Sequence, residues 1–191
     1  MKNKKQINHT KQDLMEKILI HLADCADFSF SYRFEKMFGI SGRDIRALIK
    51  KDKREFNQSI IDLKRNKFIE KKKNYDGSVT VSLTEKGKLR ALNVRFRRLE
   101  HKRERWDKKW RMVAFDIPEE CKKGRNALRY RLKMAGFYKL QESLFLYPYD
   151  CEKEIRDFIK LFKIERYVKF ALLDFFDGQE RVIGILKLRQ K

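Results

Sequence analysis

The chain has little of what loop-rich, secreted or metal-centred proteins require. Of its 191 residues only 2 are Pro and 8 are Gly, so long regular elements with few elaborate loops are expected. Cysteine is scarce as well. Cys25, Cys121 and Cys151 form no CxxC pair, and an odd count suits a reducing compartment better than a disulfide framework. Histidine is confined to His9, His21 and His101, none at ligand spacing from those thiols, so a zinc site has no basis. No run of about 18 apolar residues is available to cross a bilayer. The basic start, Met1-Lys2-Asn3-Lys4-Lys5-Gln6, leads into no apolar signal core, and no lipidation motif is present. A cytoplasmic protein without membrane attachment is the expectation.

Positive charge is what the chain has in excess: 48 Lys and Arg against 27 Asp and Glu, a net of +21. Hydrophobic residues at 42% and aromatics at 13% make it a folding sequence and not a basic tail. The excess is uneven, with a net of +15 over residues 1–109 and +6 over 110–191. A globular protein so charged repels itself unless its partner is a polyanion, which points to nucleic acid.

Periodicity sets out the front half. Leu14, Ile18, Leu19 and Leu22 fall on one face of a helix over 11–24, with Thr10 in the N-cap position. Short helices are expected around Tyr32–Phe38 and from Ser41 or Gly42, the latter carrying Ile45, Leu48 and Ile49. A stronger helix runs from about Asp52 to Asn66. It stacks Phe56, Ile60 and Leu63 in one arc and Arg54, Gln58, Ile61 and Arg65 on the opposite side. Then Phe68-Ile69-Glu70-Lys71-Lys72-Lys73 and the alternating Ser78-Val79-Thr80-Val81-Ser82-Leu83 flank Asn74-Tyr75-Asp76-Gly77, a β-hairpin signal.

Three helices followed by a hairpin is the order of a winged helix-turn-helix, expected over 10–83. In that reading Lys53, Arg54, Asn57, Gln58 and Arg65 face duplex DNA from the helix at 52–66, and Lys71, Lys72 and Lys73 grip phosphates from the wing. The plain alternative is that each cation decorates a solvated face. Ile61 on that outward side suits either a thymine methyl or a neighbouring helix. A further helix with Thr84 as its N-cap carries Leu89, Leu92, Phe96 and Leu99, and the expected basic linker helix over 84–109 holds 11 cations and 3 anions from Lys86 onward.

From Arg111 the pattern changes. Met112-Val113-Ala114-Phe115 is a strand ending in Asp116-Ile117-Pro118, where Pro118 opens a helix that stops at Gly136. Strands are expected at Ser143–Tyr147, Tyr167–Asp174 and Arg181–Leu188, and a helix at Cys151–Phe162. The whole is α+β, with a ferredoxin-like domain at 110–191 behind the winged helix.

Trp110 through Glu119, then Arg125, Leu128-Arg129, Leu132, Gly136-Phe137-Tyr138, Leu140-Gln141, Ser143 and Phe145, over roughly 106–175, resemble the Cas-two-like domain. That is the fold of the small CRISPR adaptation protein and of the C-terminal part of PaaX-type repressors. The resemblance implies a homodimer joined through these domains, presenting two winged helices to a pseudo-palindromic operator. It also implies a strand-end aspartate, Asp116, that in the adaptation protein is proposed to hold a divalent cation such as magnesium. A metal-dependent nuclease, or a CRISPR-adaptation accessory, using Asp116 is therefore the alternative function, with no other cofactor expected. Against it, Asp116 has no second carboxylate tied to it and stands where it can cap the following helix. No Gly-rich phosphate cradle is present from which to read a small-molecule effector.

Overall fold

The computed structural model describes residues 4–25, 29–32, 53–100 and 105–188. The chain divides into two compact units, 1–94 and 95–191. The elements are α-helices and two antiparallel sheets, an α+β protein.

The first unit contains α1 (Lys4–Asp24), β1 (Ser29–Tyr32), α2 (Lys53–Arg65), β2 (Ile69–Lys73) and β3 (Val79–Leu83). After these comes α3 (Glu85–Glu100), which runs on into the second unit. The strands pair antiparallel in the order β1-β3-β2, with Ile69 opposite Leu83 and Ser29 opposite Ser82. The stripes read from the sequence meet here. Leu14, Ile18, Leu19 and Leu22 of α1 and Phe56, Ile60 and Leu63 of α2 are buried together with Ile69, Val79, Val81 and Leu83. Each such side chain contributes roughly 1.5–3 kcal/mol by leaving water.

Three expectations change. The linker helix expected over 84–109 is helical over Glu85–Glu100, and residues 105–109 are not helical. The first helix starts at Lys4, because nothing between there and Thr10 breaks a helix; Thr10 is an interior residue and not its N-cap. Tyr32, the expected start of a short helix, belongs to β1. The remainder of that helix, and the one expected from Ser41 or Gly42, lie outside the described residues.

The second unit is built on β4 (Trp110–Phe115), α4 (Lys122–Met134), β5 (Tyr138–Gln141), β6 (Leu144–Tyr147), α5 (Glu152–Leu161) and β7 (Val168–Leu173), followed by α6 (Gln179–Leu186). Its antiparallel sheet has the order β5-β6-β4-β7, which with the βαββαβ chain order is the ferredoxin-like arrangement. Alternation along β4 and β6 separates two faces. Val113, Phe115, Phe145 and Tyr147 lie on one, and the apolar faces of α4 (Leu128, Leu132) and α5 (Ile155, Phe158, Ile159) are likewise buried. Trp110, Leu146 and their neighbours on the other face pack with Val182, Ile183 and Leu186.

That last contact overturns one expectation. Residues 181–188 were expected to be a strand, but 179–186 is the helix α6. The residues Val182, Ile183 and Leu186 also satisfy a helical spacing, and the burial of Trp110 decides between the two periods. Gln179 Oε1 accepts the Trp110 indole N–H at 3.0 Å, which anchors the helix start. The second strand of the fold is instead the short β5, irregular between Lys139 and Gln141 and largely exposed, so it left little alternation to read.

Candidate nucleic-acid interface

The outward side of α2 is polar by construction. Once Phe56, Ile60 and Leu63 face the core, a period of 3.6 places Arg54, Gln58, Ile61 and Arg65 on the opposite side, where all four are exposed. Glu55 in the first turn and Lys64 and Arg65 in the last agree with the helix dipole. Asn57 is half-buried between the two sides, and of Lys53, the first residue of the helix, only the backbone is described.

Asp62 organises part of this face. Its side chain is buried, accepts a hydrogen bond from Gln58 Nε2 at 3.4 Å and pairs with Arg65 Nη2 at 2.9 Å. Two of the expected base-reading residues are therefore positioned by one carboxylate that sequence spacing alone did not single out. Arg65 is itself largely exposed, so the pair adds little stability and acts chiefly on side-chain direction. Ser59, buried on the same helix, bonds its hydroxyl back to the Glu55 carbonyl at 2.8 Å.

The hairpin follows at once. Lys67, with φ of 59°, takes the left-handed position that ends α2, and Phe68 N donates to Leu63 O at 2.9 Å in a Schellman closure. In β2 only Ile69 is buried; Glu70, Lys71, Lys72 and Lys73 are exposed. The lysines do not form a single comb, because strand alternation puts Lys71 and Lys73 on one face and Lys72 with Glu70 on the other. β2 is also the sheet edge, where lysines additionally discourage strand-to-strand association. The tip is tightly built. Asp76 Oδ1 accepts from Ser78 N at 2.9 Å and Ser78 Oγ at 2.6 Å, Asn74 Nδ2 donates to Ser78 Oγ and Thr80 Oγ1, and Gly77 supplies φ of 78°. Tyr75 stands fully exposed on this tip.

The corner between α2 and the hairpin is fastened by the start of α3. Thr84 Oγ1 donates to Lys67 O at 2.7 Å and accepts from Gly87 N at 3.0 Å, so the expected N-cap also ties the corner. Thr84 N donates to Phe68 O at 3.1 Å, and Lys86 Nζ donates to Asn66 O at 3.0 Å. A Cβ on Gly87 would sit 1.9 Å from Phe68 O, so the approach admits only glycine. This joint sets the angle at which the lysine strand leaves the helix.

In the second unit, Asp116 follows β4 and is exposed; its backbone N donates to Tyr167 O at 3.0 Å. It does not cap a helix. A 3₁₀ turn at Glu119–Cys121 intervenes, preceded by Pro118, and neither that turn nor α4 has a side-chain cap. Arg125 closes the loop by donating to Ile117 O at 3.0 Å and pairing with Glu119 at 2.6 Å. Lys122 and Arg125 together hold the Glu119 carboxyl below its usual range. Among the described residues no group of three or more His, Cys, Asp or Glu side chains is placed to hold a metal.

Residues 103–182 match the family profile of the PaaX protein central Cas2-like domain. Over these residues the chain is similar to that domain. None of the curated proteins compared with the chain matches it. The Cas2-like region spans β4 through β7 and enters α6, so the α2 face and the hairpin lie outside it. The aromatic residues Tyr147 and Phe137 of the Cas2-like domain are core residues, stacked with centroids 4.4 Å apart, and Tyr147 Oη donates to Leu99 O at 2.7 Å.

Proposed function

We propose that the chain is a DNA-binding transcriptional regulator of the PaaX type, acting in the cytoplasm as a homodimer and repressing by occluding a promoter. In this reading the first unit is a winged helix. α2 enters the major groove with Arg54, Asn57, Gln58 and Arg65, while Lys53 and the hairpin lysines Lys71, Lys72 and Lys73 neutralise flanking phosphates. The observation that carries it is the succession of a cationic, Gln-bearing helix face and a lysine edge strand across a corner that admits no slack. Arg and Gln have the bidentate geometry that distinguishes guanine and adenine edges, which a merely solvated face does not need.

The homodimer reading draws support from Leu172 on the open edge strand β7 and Phe175 just beyond it, both exposed. The nuclease alternative is less well supplied. Asp116 is available, but Glu119 is engaged by Lys122 and Arg125, so a magnesium ion would need ligands from a second copy. Duplex binding measured by fluorescence anisotropy tests the proposal. The wild-type chain is expected to bind with a steep salt dependence, and Lys71→Ala/Lys72→Ala/Lys73→Ala to bind all sequences more weakly. Equal binding by both proteins would refute it.

A further inference from the structure

Helix α4 of the Cas2-like domain carries Lys122, Lys123, Arg125, Arg129, Arg131 and Lys133 in 13 residues, with no carboxylate among them. Gly124, Leu128 and Leu132 are buried, so the opposite side is fixed by the helical period. Steps of four, three and four place Lys122, Asn126, Arg129 and Lys133 in one row, with Lys123 and Tyr130 beside it. Glu119 engages Lys122 at 2.7 Å. Among the described residues Lys123, Arg129 and Lys133 make no ion pair; Arg129 instead lies over the Phe115 ring, 5.8 Å from its centroid. Its buried Nε has no hydrogen-bond partner among the described residues.

Lys122 and Lys123 also occupy the first turn, where the helix dipole disfavours cations, and no side chain caps that end. The nearest acid beyond Glu119 is Glu142, whose carboxyl Lys139 holds below its usual range through a hydrogen bond, with Arg129 and Lys133 adding only a smaller electrostatic pull. We infer that the outer face of α4, through Lys123, Arg129 and Lys133, is a second phosphate-backbone contact for duplex DNA, independent of the first unit's helix and hairpin.

Three physical points favour DNA over other anionic partners. A membrane-surface helix must offer a broad apolar face to lipid, but the stripe of α4 formed by Leu128 and Leu132 is buried in the domain, and Tyr130 and Met134 alone leave too narrow an exposed apolar surface. Protein–protein interfaces are depleted in lysine, whereas two of these three cations are lysines. Their spacing along the helix, 1.5 Å per residue, runs the row past a strand that carries a charge every 3.4 Å of axis.

The inference rests on the reading that the chain binds duplex DNA, and the full chain tests the two separately. Anisotropy titrations of a random-sequence duplex across a salt series compare wild type, Lys123→Gln/Lys133→Gln, the corresponding Lys→Arg double variant and the hairpin triple variant. Losing two phosphate contacts is expected to lower affinity about tenfold and flatten the log–log salt slope by about 2, with the Lys→Arg protein unchanged. Unaltered affinity and slope in the Gln variant, while the hairpin variant loses binding, would overturn this inference and leave the proposed function standing. Equal losses in the Gln and Arg variants would also overturn it, since charge would then be irrelevant. So would equally tight, equally Lys-dependent binding to polyglutamate or to anionic phospholipid vesicles. No binding by wild type would defeat both readings.

Discussion

At Gly87 a single hydrogen atom in place of a methyl group lets α3 begin against the Phe68 carbonyl. Gly87→Ala must push either the helix start or the corner aside, and overpacking of this kind costs about 1–3 kcal/mol. Urea unfolding of the variant is expected to show that loss, accompanied by weaker DNA binding because the hairpin angle changes. Lys67 presents the opposite case. It holds φ of 59°, which a side chain disfavours by about 1–2 kcal/mol, so Lys67→Gly is expected to raise the midpoint of the same transition. Neither effect could be assigned from sequence: Gly87 looks like a flaw near a helix start, and Lys67 looks like one more cation. The Thr84 cap, by contrast, was legible, because its chemistry is local.

His21 adds a pH dependence at the same scale. Burial holds its imidazole below the ordinary value of 6.5, with Asp24 opposing the shift. The folded state therefore disfavours the proton that the unfolded chain accepts. The contribution is fully present above pH 6.5 and is lost as pH falls below it. Melting temperatures measured from pH 7.5 down to about 5.5 are expected to decline more steeply for wild type than for His21→Gln. Parallel curves would contradict the assignment.

The elements differ in how plainly the sequence announced them. α1 and α2 declared themselves through apolar residues at helical spacing, and the hairpin through strict alternation around an Asp-Gly. The termini were less legible, because helix boundaries depend on caps and on whether anything interrupts the helix; α1 simply continues back to Lys4. α6 reads as a strand in the sequence because Val182, Ile183 and Leu186 suit both periods, and only the Trp110 surface they cover selects the helix. Trp110→Ala is expected to remove that surface and the Gln179 bond. A loss of about 3–5 kcal/mol, or outright unfolding of the second unit, is expected by calorimetry. At α2, the exposed face was legible, but the role of Asp62 was not: a buried acid among cations is invisible until packing brings them together. Arg54→Ala is expected to alter sequence preference in a binding-site selection more than it lowers affinity for random duplex.

At the scale of the whole molecule, charge supports the account of function, and the fold gives that charge its arrangement. The Cas2-like match spans residues 103–182, whereas a net of +15 of the total +21 lies within residues 1–109. Among the described residues no helix is long and apolar enough to cross a membrane. A chain of net charge +21 binds any polyanion weakly at low salt. Mere binding is therefore a poor criterion, and the informative quantity is how affinity responds to salt when particular lysines are removed. The deciding measurement is the salt slope of duplex binding by wild type beside the Lys71→Ala/Lys72→Ala/Lys73→Ala variant. Three lost phosphate contacts predict a slope shallower by about 2.7 with uniformly weaker binding; superimposable slopes would show that the hairpin does not touch DNA.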